Sequence, residues 1–376
     1  MIYLFCIFII LIGVFQFDLK GKKSGKSFWY YFIFFVLVLV AGLRYKVGGD
    51  TYPVMDYFMY QPDLNHLTSY HFVETRYPPL WIIFVSAIKS ISNEFFVFQL
   101  IHAIIVNSAF FLFFKKHSNK SFTCILIYAV LLYFNYNTEI IRTALSVSLF
   151  LLFGYDFLIQ KKWIKYSVVI FLSLGFHYES FILILFVLCH LTKNNSFLHS
   201  AIILIGTLSF MFSLDVIPVI GDALAFNEVA QHALGAHADI LEFSFNLNGL
   251  IMYAFKIFIW VLALWLMRSD TTYNRFFIYL SIISVVFAFK YPVIFGRLMD
   301  FIYPLLTIEL VRLLYEKRNM AKIIVLIGVF YSWGMFYFWK VANTYSYKQY
   351  FPYVSIFDPY EIPERTNVVY EYHKGM

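Results

Sequence analysis

Five ionisable side chains stand where apolar runs of the sequence give way to polar ones: Arg44, Asp50, Arg142, His177 and Arg297. Guanidinium forms paired hydrogen bonds to phosphate oxygens and keeps its charge when half-buried, so the arginines suit a phosphate or pyrophosphate ligand. A histidine beside such a ligand has the proton affinity of a general base. Asp50 or Glu74 can take the same part, or can simply orient an arginine. Each residue also has a plainer explanation. Arg44 can be a snorkelling side chain at a turn. Arg142 follows Glu139 by three residues and Arg297 precedes Asp300 by three, spacings that give ion pairs on one helix face. His177 can be a structural histidine at a helix end. What separates these readings is whether the chain brings the five to one place.

The elements that must position them are membrane helices. The chain is 61% apolar and 14% charged, against about 25% charged in soluble domains. Apolar runs recur at 2–17, 28–43, 79–91, 95–114, 121–136, 140–159, 164–177, 179–191, 197–214, 248–267, 276–291, 298–314 and 323–341. Most approach the roughly 20 residues that cross a bilayer as a helix. The composition therefore predicts an all-α polytopic membrane protein. The first run lacks a small-residue cleavage site and is expected to be retained. Cys6, Cys124 and Cys189 all lie inside apolar runs and read as small core residues. A net charge of +7 reports loop orientation here, not nucleic-acid binding.

Basic residues set the sides. Lys20, Lys22, Lys23 and Lys26 share one short loop, Lys115, Lys116 and Lys120 another, and Lys161, Lys162 and Lys165 a third. Lys193, then Arg268 with Arg275, then Arg312, Lys317, Arg318 and Lys322 mark three more. All six are cytoplasmic only if one run does not cross. The run 79–91 is the candidate: it is short, follows Pro78-Pro79 and carries Lys89. About 12 transmembrane helices then remain, with a re-entrant or interfacial helix near 79–91 and both termini outside. Residues 1–341 form a single transmembrane domain with external loops at 44–78 and 215–247, and 342–376 form an external C-terminal tail. The five candidate residues fall on the external face.

Other features carry less. The outer tyrosines and Trp81 suit an interfacial aromatic belt or, alternatively, stacking on sugar rings. His232 and His237 lie five apart, poor spacing for zinc on one helix face, and no metal is expected.

The motifs resemble those of the EpsG family of bacterial exopolysaccharide proteins, within the wider group of Wzy-type polysaccharide polymerases. The residues concerned are Gly42-Leu43-Arg44-Tyr45 through Gly49-Asp50-Thr51, Glu74 with Tyr77, Ile141-Arg142-Thr143-Ala144-Leu145, and Phe176-His177-Tyr178-Glu179-Ser180. Arg297 fits the family's later arginine. Thr143-Ala144 and Tyr178-Glu179 depart from the family's usual neighbours but leave Arg142 and His177 in place. The resemblance implies a GT-C-like integral membrane glycosyltransferase in the bacterial inner membrane. It would pass a growing glycan from undecaprenyl pyrophosphate to the non-reducing end of a new lipid-linked oligosaccharide repeat. It implies Arg142, Arg297 and Arg44 on the pyrophosphate, and His177 as base with Asp50 or Glu74 next. It implies no cofactor and no metal. The partners implied are the lipid-linked oligosaccharide, membrane lipids and a Wzz-type chain-length co-polymerase. The competing functions are another lipid-sugar transferase, such as an O-antigen ligase, and a polysaccharide flippase; a transporter would line a path across the bilayer, whereas these residues crowd one face.

Overall fold

The computed structural model describes residues 2–73, 75, 77–192, 292–316, 324 and 346–374. Glu74, the loop 215–247 and the runs at 197–214, 248–267 and 276–291 lie outside them, as do all of run 323–341 but Ile324. Chain contacts define two compact units, 1–180 with 336–376, and 181–335.

In the first unit the helices are α1 (Ile2–Leu19), α2 (Lys26–Gly42), α3 (Thr51–Tyr60), α4 (Ser69–Val73), α5 (Pro79–Ile91), α6 (Phe95–His117), α7 (Ser121–Leu132), α8 (Ile141–Ile159) and α9 (Trp163–Phe176). A π-turn at Asn135–Glu139 prolongs α7. The second unit contains α10 (Leu183–Thr192) and α11 (Pro292–Glu316), and the first is completed by α12 (Pro363–Lys374). Among the described residues there is no strand, only an isolated antiparallel bridge between Arg44 and Ser355.

This is an all-α membrane protein. α1, α6 and α8 are long and apolar enough to cross a bilayer. Their neighbours turn apolar side chains outward: Ile164, Val168 and Phe171 form an exposed stripe on α9, and Leu4, Phe8, Leu11 and Phe15 another on α1. Such stripes would be costly against water and are cheap against lipid.

The helix ends sort by charge. At one end Lys115 Nζ donates to the Tyr31 hydroxyl at 3.1 Å, Lys116 pairs with Asp156, and Lys120 donates to the Asp18 carbonyl. Asp18 Oδ2 also accepts from the Thr123 amide at 2.7 Å, tying α1 to α7. At the opposite end lie the loop 43–50, residues 135–142 and His177. α2 and α6 run antiparallel between these ends, so closely that a Cβ on Gly42 would meet the Leu100 Cα at 2.8 Å.

α5 does not cross. Tyr77, just before it, stacks under Arg142 at the start of α8. Lys89, in its last turn, donates to the carbonyls of Phe58 (2.8 Å) and Met59 (2.5 Å), which end α3. Phe95, where α6 begins, also packs on Phe58. Both ends of α5 thus sit at the end of the first unit where α2 stops. Its apolar face joins Phe58, Trp81, Val85, Phe98, Ile141 and Leu145 in one buried cluster.

The chain reverses at Ile140. His102 Nε2 of α6 donates to the Ile141 carbonyl at 2.9 Å and fixes the turn. Below it, Asn107 Nδ2 donates to Asn137 Oδ1 (3.0 Å), and Tyr128 donates to Asn107 Oδ1 (3.0 Å). Asn137 Nδ2 reaches the Tyr133 carbonyl at 2.8 Å. A buried amide network whose members are all paired holds one arrangement, because any shift strands a polar group in a medium without water.

Candidate functional site

The loop that follows α2 is built round Arg44. Its side chain is 2% exposed, and its guanidinium donates to three backbone carbonyls: Val47 (3.1 Å), Asn137 (2.9 Å) and Ala41. Ala41 lies in the last turn of α2, whose carbonyls have no partner within the helix, so the cation also caps the negative helix end. Burial pulls this guanidinium down to about 10, still charged at neutral pH. These donors are spent on the fold. Arg44, expected at the pyrophosphate, here joins α2, its own loop and the end of the α7 helix.

Gly48 then turns the loop with φ +105°, where a Cβ would also collide with Thr138. The Gly48 amide donates to the Gln349 carbonyl (3.0 Å) and the Asp50 amide to the Thr138 carbonyl (3.2 Å). The C-terminal segment closes over the loop. Tyr45 donates to the Val354 carbonyl at 2.8 Å, and Ile356 to that of Leu43 at 3.0 Å. Arg365, 1% exposed, donates to the carbonyls of Lys348 (2.8 Å), Lys46 (3.2 Å) and Pro352. Tyr52 and Thr366 share a hydroxyl contact at 3.2 Å. Residues 346–374 are thus packed onto the motif.

Against this loop sits Glu139. Its Oε1 accepts from the Gly49 amide (2.7 Å) and the Thr138 hydroxyl (3.1 Å), and Tyr350 hydrogen-bonds it as well. The half-buried Asp50 is its charged neighbour. Burial, then the Asp50 charge, push the Glu139 carboxyl up to about 7, against the pull of those donors.

Glu139 and Arg142 form no ion pair, contrary to the spacing. Ile140 adopts φ −119°, ψ 47° and breaks the helix between them. Glu139 therefore faces the Gly49 amide, while Arg142, second residue of α8, lies on the ring of Tyr77 at 4.9 Å. Among the described residues the half-buried Arg142 guanidinium has no hydrogen-bond partner. Tyr57 packs against the same tyrosine with its ring tilted, 4.3 Å from Tyr77 between ring centres. Its buried hydroxyl is likewise without a partner among the described residues. The first turn of α8 has no side-chain cap. An unspent guanidinium, an orphaned phenol and open helix amides together present donors to an anion.

His177 ends α9 next to this platform. It is 9% exposed, its Nδ1 lies 3.8 Å from Glu179 Oε2, and the Glu179 amide donates to that Nδ1 at 3.3 Å. The following residue, Tyr178, reaches the Tyr77 carbonyl at 3.5 Å. Ser146 of α8 donates to the Ser173 carbonyl at 2.9 Å, locking α9 to α8.

Arg44, Asp50, Arg142 and His177 therefore gather at one end of the first unit. Arg297 lies on α11 in the second unit. Sequence reasoning named Glu139 only as a partner for Arg142. The signal available was the dense polar run Asn135-Tyr136-Asn137-Thr138-Glu139 at the end of an apolar stretch. Nothing in the sequence pointed to Tyr350 or Arg365, which are some three hundred residues from the loop they hold. Among the described residues, no group of three or more His, Cys, Asp or Glu side chains could hold a metal ion.

The model of the EpsG family matches residues 27–355, which includes Arg44, Asp50, Glu139, Arg142, His177 and Arg297. No curated protein and no solved structure matches the chain.

Proposed function

The chain belongs to the EpsG family, a family of Wzy-type polysaccharide polymerase-like proteins, and from that premise we propose that it elongates a glycan carried on a lipid pyrophosphate. The substrate would be an undecaprenyl-pyrophosphate-linked oligosaccharide, handled at the outer face of a bacterial inner membrane. The growing chain passes to the non-reducing end of a newly arrived repeat, and the lipid pyrophosphate leaves. About 12 spans of GT-C-like arrangement, with a Wzz-type co-polymerase alongside, complete the proposal.

The observation that carries it is Arg142: a guanidinium stacked on Tyr77 at an uncapped helix start, with no hydrogen-bond partner among the described residues. A buried or half-buried cation normally finds acceptors, and one that has none supports a ligand of opposite charge. In this proposal Arg142 holds the leaving pyrophosphate, with Arg297 as the second cation. Arg44 acts indirectly, by fixing the loop. The acceptor hydroxyl needs a base, and His177 and Asp50 are the groups within the site that can serve; Glu74 remains in the proposal as a third.

Replacing Arg142 with Ala tests the reading. Loss of one donor to a developing oxyanion costs about 10²–10³ in rate. Cells carrying Arg142→Ala in place of the native chain should accumulate single-repeat glycans, with the protein still present in the membrane at normal amount. Full-length polymer from that variant would remove the pyrophosphate assignment.

A further inference from the structure

Resting on that polymerase reading, we infer that Glu139, acting as one unit with Asp50, takes the proton from the acceptor hydroxyl during elongation. The break at Ile140 makes this division of labour. In an unbroken helix Glu139 and Arg142 would face the same way and neutralise each other. Here the carboxylate is turned to the Gly48-Gly49-Asp50 loop and the guanidinium to Tyr77. One reversal of the chain thus offers a proton acceptor on one side and an anion clamp on the other, three residues apart in sequence. A displacement at a sugar carbon needs that separation, since the nucleophile enters on the face away from the departing group.

The carboxylate is also held for the task. Its Oε1 is fixed by the Gly49 amide at 2.7 Å and the Thr138 hydroxyl at 3.1 Å, with Tyr350 completing the cradle, while the residue as a whole is partly buried. Beside it, Asp50 is anchored through its own amide on the Thr138 carbonyl at 3.2 Å. Burial, then the Asp50 charge, hold the Glu139 carboxyl up at about 7. The charged or titratable groups around Glu139 are Asp50 and Tyr350, with Arg44 behind the loop.

In the step itself the acceptor oxygen bonds to the anomeric carbon as the bond from that carbon to the pyrophosphate oxygen breaks. The bonding pair leaves on the pyrophosphate, where Arg142 meets the charge. The hydroxyl proton passes to the Glu139–Asp50 pair and is later released to water.

The test uses the full chain in nanodiscs, with lipid-linked repeat units extracted from the native strain lacking this protein, and reads glycan ladders across the neutral pH range. Wild-type elongation should rise through about pH 7, the value expected for the Glu139 carboxyl. Glu139→Gln should lose about 10²–10⁴-fold in kcat and its acid limb, with KM little changed; Glu139→Asp should recover part of the rate. Asp50→Asn removes the neighbouring charge, so its acid limb should move to lower pH. Wild-type rate with an unmoved limb in Glu139→Gln overturns the assignment. If Glu139→Gln cannot be purified, an unshifted limb in Asp50→Asn overturns it. Absence of elongation by the wild-type chain overturns the polymerase reading and this step with it. In that case infrared difference spectra still separate the two failures: a carboxyl band titrating near neutral pH in wild type and missing in Glu139→Gln locates the fault in the reaction, not in the pair.

Discussion

Arg44 and Arg142 are both arginines at helix ends, yet the structure gives them opposite work, and thermal stability separates them. Replacing Arg44 with Ala leaves the carbonyls of Ala41, Val47 and Asn137 without their donor in a site 2% exposed. A buried polar group stripped of its partner costs about 1–3 kcal/mol. Water entering the vacated volume returns part of this, so a net loss of about 3–5 kcal/mol is expected, in line with breaking a buried charged contact. At about 2–4 °C per kcal/mol for a unit of this size, the detergent-solubilised protein should unfold on the order of 6–20 °C earlier. Arg44→Lys should fall between, because an ammonium cannot span three carbonyls set around a planar fork. Arg142→Ala should stay within about 2 °C of wild type, since it breaks only a stacking contact. Thermal size-exclusion chromatography of fluorescent fusions measures all three. An Arg44→Ala protein that melts with the wild type but no longer elongates would refute the structural role and return Arg44 to the ligand.

Arg365 holds three more carbonyls from the C-terminal side, so Arg365→Ala should lower the melting temperature by a similar several degrees and reduce elongation through disorder of the 43–50 loop; trypsin cleavage at Lys46 in the variant, absent in wild type, reads that disorder directly. Sidedness is checked by single cysteines: Asp50→Cys should react with a membrane-impermeant maleimide added to intact cells or spheroplasts, and Lys161→Cys only after permeabilisation. Labelling in the reverse pattern would invert the topology.

Helix positions were legible because lipid demands unbroken apolar length. The runs 79–91, 95–114 and 140–159 correspond to Pro79–Ile91, Phe95–His117 and Ile141–Ile159. Within the first unit the basic loops likewise identified helix ends that lie together, as the contacts of Lys115, Lys116 and Lys120 with Tyr31, Asp156 and Asp18 show. The ion pair between Glu139 and Arg142 was not legible, because spacing assumes a continuous helix. Ile140 carries no proline or glycine to announce the break; the turn is imposed from outside, by His102 on the Ile141 carbonyl and by the loop against Glu139. Nor could sequence tell the structural arginine from the available one. Arg44 and Arg142 each follow an apolar or polar boundary in the same way, and the difference lies in which carbonyls the fold delivers to them.

The loop around Arg44 is finished by residues made long after it. Its amides and carbonyls at Leu43, Tyr45, Lys46 and Gly48 are met by Ile356, Val354, Arg365 and Gln349. During synthesis, then, the first two helices enter the bilayer with the loop between α2 and α3 open, and it stays open until the ribosome has delivered the closing segment. A chain whose translation stalls early would sit in the membrane with helices formed and chemistry absent. Ordering of the loop is thereby coupled to arrival of residues 349–365, whatever the helices that precede them have already formed.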